Sequence, residues 1–381
     1  MLRRYYVMND CDRKALAAGL AAALAVMASI WLGSSGLKHF DPALVWYAIG
    51  SVLAAFAVGY RFAVWTQRPP SRMYFRRGLQ LLVRRGFKVQ VSGFRPDTTA
   101  ISHFNVSTFQ RFNASTVSSP ALTIGHSLAS DFVAQNFIRR RSVYRWIMHL
   151  CLSGGCTLAF AITFLLVFGW VHFEAFKDNA EMYRVNLFGF NVDSFNVHSA
   201  KALVLFNALN ISTVLVLIGL LMAAIRRMTN AGERAVQTFS EDILPLILIF
   251  AVTATGLMLT VSYKFMAGRG HSPMAVAHLI SVIALLFYIP FGKLFHMFQR
   301  TCALCVALYK RAGEVGPRAH CRRCGEDYAS EMHVSDLKLV LDQLGLDYRF
   351  ARPQGEIHYQ DICPTCRRRL LALNQGRAVG R

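Results

Sequence analysis

Polar residues divide the chain into six apolar runs, at about Ala15 to Leu32, Leu44 to Tyr60, Trp146 to Val171, Ala202 to Ala224, Leu244 to Tyr263 and Val276 to Phe298. Each is long enough to cross a bilayer as a helix, which takes roughly 20 residues. The pattern predicts an all-α polytopic membrane protein with about six transmembrane helices. The first run follows a basic start, as a signal peptide does. It lacks a convincing cleavage site and a second span follows closely, so it is read as retained.

Between the second and third runs, PPSRMYFRRGLQLLVRRGFKVQ mixes basic and apolar residues in a way that suits a helix lying on an anionic membrane surface. The stretch from Ser92 to Ser130 is rich in Ser, Thr, Asn and aromatics, and the alternation in ISHFNVSTFQRF suggests short strands. Together these predict a small cytoplasmic α+β insertion, in which the NVS and NAS triplets carry no information as glycosylation acceptors. The expected organisation is two N-terminal helices over 1–65, the insertion over 66–142, a four-helix region over 143–300 and a tail over 301–381. In the tail, SDLKLVLDQLGLDY reads as a short capped helix starting at Ser335.

Composition agrees with a membrane class: 54% of the 381 residues are hydrophobic, 17% are charged, and mean hydropathy is +0.34. Charge changes the picture more. Lys and Arg number 42 against 21 acidic residues, a net +21 that would ordinarily suggest nucleic acid. The cations, however, concentrate between the second and third spans, from Arg68 to Arg145, while the connections after spans one, three and five are nearly neutral or mixed. That asymmetry is the positive-inside signature and places both termini in the cytoplasm, in a cytoplasmic (inner) membrane. Anionic lipid is then the counter-surface and nucleic acid is excluded as a partner.

Histidines supply the first candidate chemistry. His278 and His296 lie eighteen residues apart in the last apolar run. On one continuous helix that spacing closes five turns and puts both imidazoles on one face, roughly 27 Å apart. A single intramembrane histidine is often only a hydrogen-bonding group between helices; two in register point to haem ligation. With the orientation above, His149 at the start of the third span shares a leaflet with His296, as the two axial ligands of a b-type haem must. Arg145, Lys293 and Arg300 are placed in sequence to meet its propionates. Pro290 is expected to bend the last helix near this site.

These residues carry a family resemblance. AHLISVIALLFYIPFGKLFHMF, with His278, His296 and the PFGKLFH ending, resembles the last helix of the cytochrome b (gamma) subunit of respiratory nitrate reductase and of related membrane subunits of heterodisulfide reductase and the sulfite-reduction-associated complex. EDILPLILIFAVTATGLMLTVSYKF resembles the preceding helix, and WIMHLCLSGG resembles the start of an earlier haem-ligating helix. The likeness covers about Arg145 to Arg300.

It implies a haem-binding bundle in which His296 pairs with His149 on one haem b and His278 serves a second. The family's second partner position, ten residues after His149, is Ala159 here, which leaves His172 or His198 as the partner of His278. One haem is expected, and two if that outer site is complete. The resemblance further implies electron transfer between a membrane quinone and a soluble iron-sulfur or flavin partner on the cytoplasmic face. The chain would then be the electron-transfer subunit of a membrane oxidoreductase complex. The aromatic outer loop FGFNVDSFNVH, from Phe188, is a candidate quinone surface. Residues 1–140 and the cysteine-rich tail have no counterpart in nitrate reductase gamma.

The tail is the second chemical signal. CRRC at Cys321 and Cys324 and CPTC at Cys363 and Cys366 form two knuckles separated by 38 residues. Four thiolates at this spacing suit tetrahedral zinc in a zinc-ribbon-like tail, with iron as the alternative. Cys302 and Cys305 form another CxxC but lack a further ligand pair, so they read as buried thiols at a helix end. Cys11, Cys151 and Cys156 read as free. No phosphate loop or Ser/His/Asp arrangement rises above chance. A reading from a different class stays open, a haem-free membrane transporter or adaptor with a zinc-binding tail.

Overall fold

A computed structural model describes residues 10–83, 125, 128–176, 178–352 and 355–380. Six helices are long and apolar enough to cross a membrane: Cys11–Gly33, Pro42–Gln67, Val143–Val167, Ala208–Thr229, Phe239–Phe265 and His271–Phe291. That number and placement fit an integral membrane protein. Their outward faces remain apolar, with Leu32, Leu221 and Phe265 among the large exposed side chains, as lipid contact requires.

Besides a single turn at Asn136–Arg139, the α-helices among the described residues are α1 (Asp10–Gly33), α2 (Val45–Gln67), α3 (Ser71–Val83), α4 (Val143–Val167), α5 (Ala200–Phe206), α6 (Ala208–Thr229), α7 (Ala231–Val236), α8 (Leu244–Phe265), α9 (His271–Phe291), α10 (His296–Thr301), α11 (Ala303–Val315), α12 (Glu331–Gln343) and α13 (Pro364–Ala378). The strands are β1 (Val171–Ala175), β2 (Met182–Leu187), β3 (Phe190–Asn196), β4 (Arg318–His320), β5 (Asp327–Ser330), β6 (Arg349–Arg352) and β7 (Gly355–His358). The chain forms two compact units, Met1–Val64 with Gln135–Gln299 and Trp65–Ala134 with Arg300–Arg381.

In the first unit, α4 and α6 pack at glycine contacts. A Cβ on Gly155 would meet Val216 Cγ2 at 2.6 Å, and one on Gly219 would meet Leu152 Cγ at 2.7 Å. Small residues let backbones approach where no hydrophobic drive from water exists. Gly155→Leu or Gly219→Leu is therefore expected to lower stability by roughly 1–3 kcal/mol through overpacking. The expected result is a lower melting temperature in detergent, whereas Gly154→Leu, at a site with nothing within 4 Å, leaves it unchanged.

Two expectations are corrected here. First, the chain is not wholly helical between the spans. β1, β2 and β3 form an antiparallel sheet whose second hairpin turns through Phe188 and Gly189, both at positive φ (52° and 82°). Two such residues match the tight turn favoured between twisted strands. Phe173, Tyr183, Phe195 and Phe206 form the sheet's aromatic cluster.

Second, His278 and His296 do not share a helix. α9 ends at Phe291, one residue after Pro290, Gly292 is extended, and a short turn at Lys293–Phe295 leads into α10, which begins at His296. Proline removes a helical donor, and a side chain at Gly292 would collide with the Tyr288 ring, so the PFG sequence ends the helix rather than bending it. Arg61 of α2 donates to the Pro290 carbonyl, and its guanidinium lies 4.4 Å from the Phe295 ring centre.

The second unit packs α3 on α11, where Gly78 lies so close to Cys305 that only hydrogen fits. Cys302 is buried, and burial pushes its thiol up to about 11, consistent with packed thiols at a helix start. α12 begins at Glu331 rather than Ser335, because the Ser330 hydroxyl already caps it by accepting from the His333 N–H at 3.2 Å. Its buried Asp336 accepts from Arg77 at 3.0 Å and from the Tyr309 hydroxyl at 3.1 Å. Asp336→Ala would leave Arg77 without this carboxylate and the Tyr309 hydroxyl with only His333, 3.3 Å away. Arg77 is half in water, so the expected cost is about 2–3 kcal/mol, below a fully buried pair, read from the unfolding midpoint. The short strands expected over 92–130 fall almost wholly outside the described residues.

Candidate metal and histidine sites

The tail builds its thiolate cluster from two local devices. β4 and β5 form a hairpin whose connection carries Cys321 and Cys324. The Gly325 N–H donates to the Cys321 carbonyl at 2.8 Å, and Gly325 sits at φ 78°, where a side chain is strained. Cys363 is the N-cap of α13, with Pro364 opening that helix and the Cys366 N–H donating to Cys363 Sγ at 3.4 Å. A helix N-terminus favours a thiolate.

All four sulfurs lie within 4.8 Å of one another, and Cys324 Sγ is 3.7 Å from Cys363 Sγ. Four sulfurs at about 2.3 Å from a shared tetrahedral ion would be about 3.8 Å apart, whereas a disulfide would need about 2.0 Å. Burial raises the Cys321 thiol, but N–H donors from Cys363, Cys324 and Arg323 outweigh it and bring Cys321 down to about 6. Cys321, Cys363 and Cys366 are buried with Ile357 and Ile362 in one apolar cluster, while Cys324 is exposed. Arg367 holds the second knuckle by donating to the Ile362 carbonyl at 2.6 Å and the Gln360 carbonyl at 3.2 Å. The cluster can hold a metal ion such as zinc or iron.

In the first unit, the His149 and His296 rings face each other with centroids 6.4 Å apart and planes at 71°. Each is held at Nδ1. Gln135 Oε1 lies 2.6 Å from His149 Nδ1, and the Lys293 carbonyl lies 2.8 Å from His296 Nδ1. A carbonyl oxygen only accepts, so a ring that donates to it from Nδ1 keeps Nε2 as its ligating nitrogen. Gln135 was not foreseen. It is buried, at φ 52°, and its amide nitrogen donates to Ser153 at 2.8 Å, which ties the amide between the serine and His149.

No family model, curated protein or solved structure matches this chain. The likeness to nitrate reductase gamma therefore rests on the quoted residues alone.

The other expected ligands lie elsewhere. His278 Nδ1 is 3.0 Å from Thr255 Oγ1 on α8. That hydroxyl donates to the Ala251 carbonyl at 2.6 Å, so it accepts from the imidazole. Gly256 beside it gives the ring room, since a Cβ there would meet His278 Cε1 at 3.3 Å. His172 stacks on His39 with centroids 4.2 Å apart and planes within 13°, and its Nε2 is 3.4 Å from Glu174. Donor atoms of His39, His172 and Glu174 all lie within 4.8 Å, but nearly parallel stacked rings do not converge on one ion. His198 is exposed, 4.0 Å from Glu181.

The expected propionate partners already hold carboxylates: Arg145 pairs with Glu233 at 3.1 Å and Lys293 with Asp242 at 2.6 Å. Arg300 belongs to the second unit.

Proposed function

We propose that this chain is the membrane b-type cytochrome subunit of an oxidoreductase, passing electrons between a membrane quinone and a cytoplasmic iron-sulfur or flavin partner. The observation that carries the reading is the His149–His296 pair. With metal–nitrogen bonds of about 2.0 Å and roughly 1.1 Å from nitrogen to ring centre, two imidazoles on one metal have centroids about 6 Å apart. The observed separation is 6.4 Å. Both Nδ1 atoms face acceptors, which is how metal-ligating histidines are oriented and made more basic.

Haem, when bound, supplies a one-electron couple. His149 and His296 would hold its iron, while Gln135 and the Lys293 carbonyl fix both tautomers. Arg145 and Lys293 would meet the propionates only by exchanging Glu233 and Asp242 for them. Quinone chemistry rests on the resemblance, and the hairpin tip with exposed Phe188 and Phe190 is its candidate surface. A dithionite-reduced minus oxidised spectrum of the purified chain tests the assignment: the expected result is a low-spin b-type signal, and a featureless visible spectrum contradicts it.

The same carboxylate pairs favour the second reading, a haem-free transporter or adaptor, because they leave Arg145 and Lys293 neutralised without a cofactor. The distribution of Lys and Arg assigns sides independently of haem. Both termini belong in the cytoplasm and Asn179 outside. Alkaline phosphatase fusions are expected to be active after Asn179 and inactive at the C-terminus, and the reverse pattern overturns the orientation.

A further inference from the structure

Away from the histidines, α6, α7 and the start of α8 line an open cavity of about 860 Å³. Its long wall is apolar, with Leu217, Leu221 and Phe250, and its polar lining comes from Arg227, Arg234 and Gln237. Leu217 to Met228 covers roughly 16 Å of helix at about 1.5 Å per residue. That is about one leaflet of a bilayer whose hydrocarbon core is about 30 Å thick.

The polar groups at this end specify more than apolar filling. Arg227 lies 3.9 Å from its carboxylate neighbour Asp242, beyond hydrogen-bonding distance, and Arg234 is exposed on α7. Gln237 Oε1 is buried with no hydrogen-bond partner. Burying an acceptor without a donor is costly, so a ligand bringing one is favoured. The occupant must therefore combine a chain one leaflet long, a negative charge and a hydrogen-bond donor. A quinone offers carbonyl acceptors and no charge; phosphatidylcholine offers no net charge and no head-group donor, and phosphatidylethanolamine a donor but no net charge.

We propose that this cavity is a specific site for one anionic phospholipid with a hydroxylated head group, of the phosphatidylglycerol class. An acyl chain lies along Leu217, Leu221 and Phe250, the phosphate meets Arg227 and Arg234, and a head-group hydroxyl donates to Gln237 Oε1. The assignment does not depend on the cytochrome reading.

Native mass spectrometry of the full chain in detergent, offered equal amounts of phosphatidylglycerol and phosphatidylcholine, tests it. Two arginines near a phosphate should favour retention of phosphatidylglycerol by roughly tenfold or more. Arg234→Gln, on the surface, should reduce that preference several-fold, and Ala224→Trp, which fills the cavity, should remove it. Equal retention of the two lipids by the wild type overturns the proposal, as does a preference that survives Ala224→Trp. Displacement of bound phosphatidylglycerol by added ubiquinone would reassign the cavity to quinone.

Discussion

On the cytochrome reading, His149→Ala and His296→Ala are each expected to abolish a low-spin haem signal, because each imidazole would be one of the two that hold the iron. Each ring is anchored at Nδ1 from a different element, His149 through Gln135 and His296 through the Lys293 carbonyl, so neither replacement is rescued by its neighbour. Gln135→Leu should give a milder version, weakening haem retention about 10–100-fold, since it removes the orienting acceptor and keeps the ligand. His278→Ala should change much less, because that ring is held by Thr255 on α8 and not by the pair. Spectra of the reduced variants, normalised to protein, read all four. A full low-spin signal in His149→Ala or His296→Ala would remove the pair from the ligand set.

In the tail, Cys321→Ser, Cys363→Ser and Cys366→Ser are expected to lose stoichiometric metal and loosen the domain. These three sulfurs belong to the buried cluster with Ile357 and Ile362, so an ion held there would be part of the core it closes. Structural zinc contributes on the order of 10–16 kcal/mol of binding free energy at pH 7, far more than a small apolar cluster supplies. Cys324→Ser should cost least, since its sulfur is the exposed one. Metal analysis with limited proteolysis reads the effect: wild type holds about one ion per tail, and the buried-cysteine variants hold almost none and are cut between the knuckles. Full metal content in those variants would refute four-thiolate ligation. Membrane haem absorbance should survive every tail variant.

The spans and the knuckles were legible because both signals are local. Twenty apolar residues and a CxxC pair say what they are without knowledge of neighbours, and among the described residues six helices are long and apolar enough to span a membrane and four cysteine sulfurs cluster. The end of the last helix was misread because hydrophobicity continues through IPFGKLF. The pattern cannot distinguish a bent helix from an ended one, and the decisive fact is the Tyr288 ring lying where a side chain at Gly292 would go. The β-sheet was readable in part, since the Phe188–Gly189 turn stands between alternating residues, but the aromatic run was taken for a loop. Gln135 on His149, His39 on His172 and Arg77 on Asp336 are contacts between distant segments with no periodicity to announce them.

The haem-to-protein ratio of the wild-type chain, measured by pyridine haemochrome on protein from haem-sufficient cells, tests the central claim most directly. A six-coordinate site between His149 and His296 predicts about one haem b per chain, rising toward two only if His278 completes a second site. Purified, folded protein with its tail metal in place and no haem would contradict the account and leave a membrane transporter or adaptor.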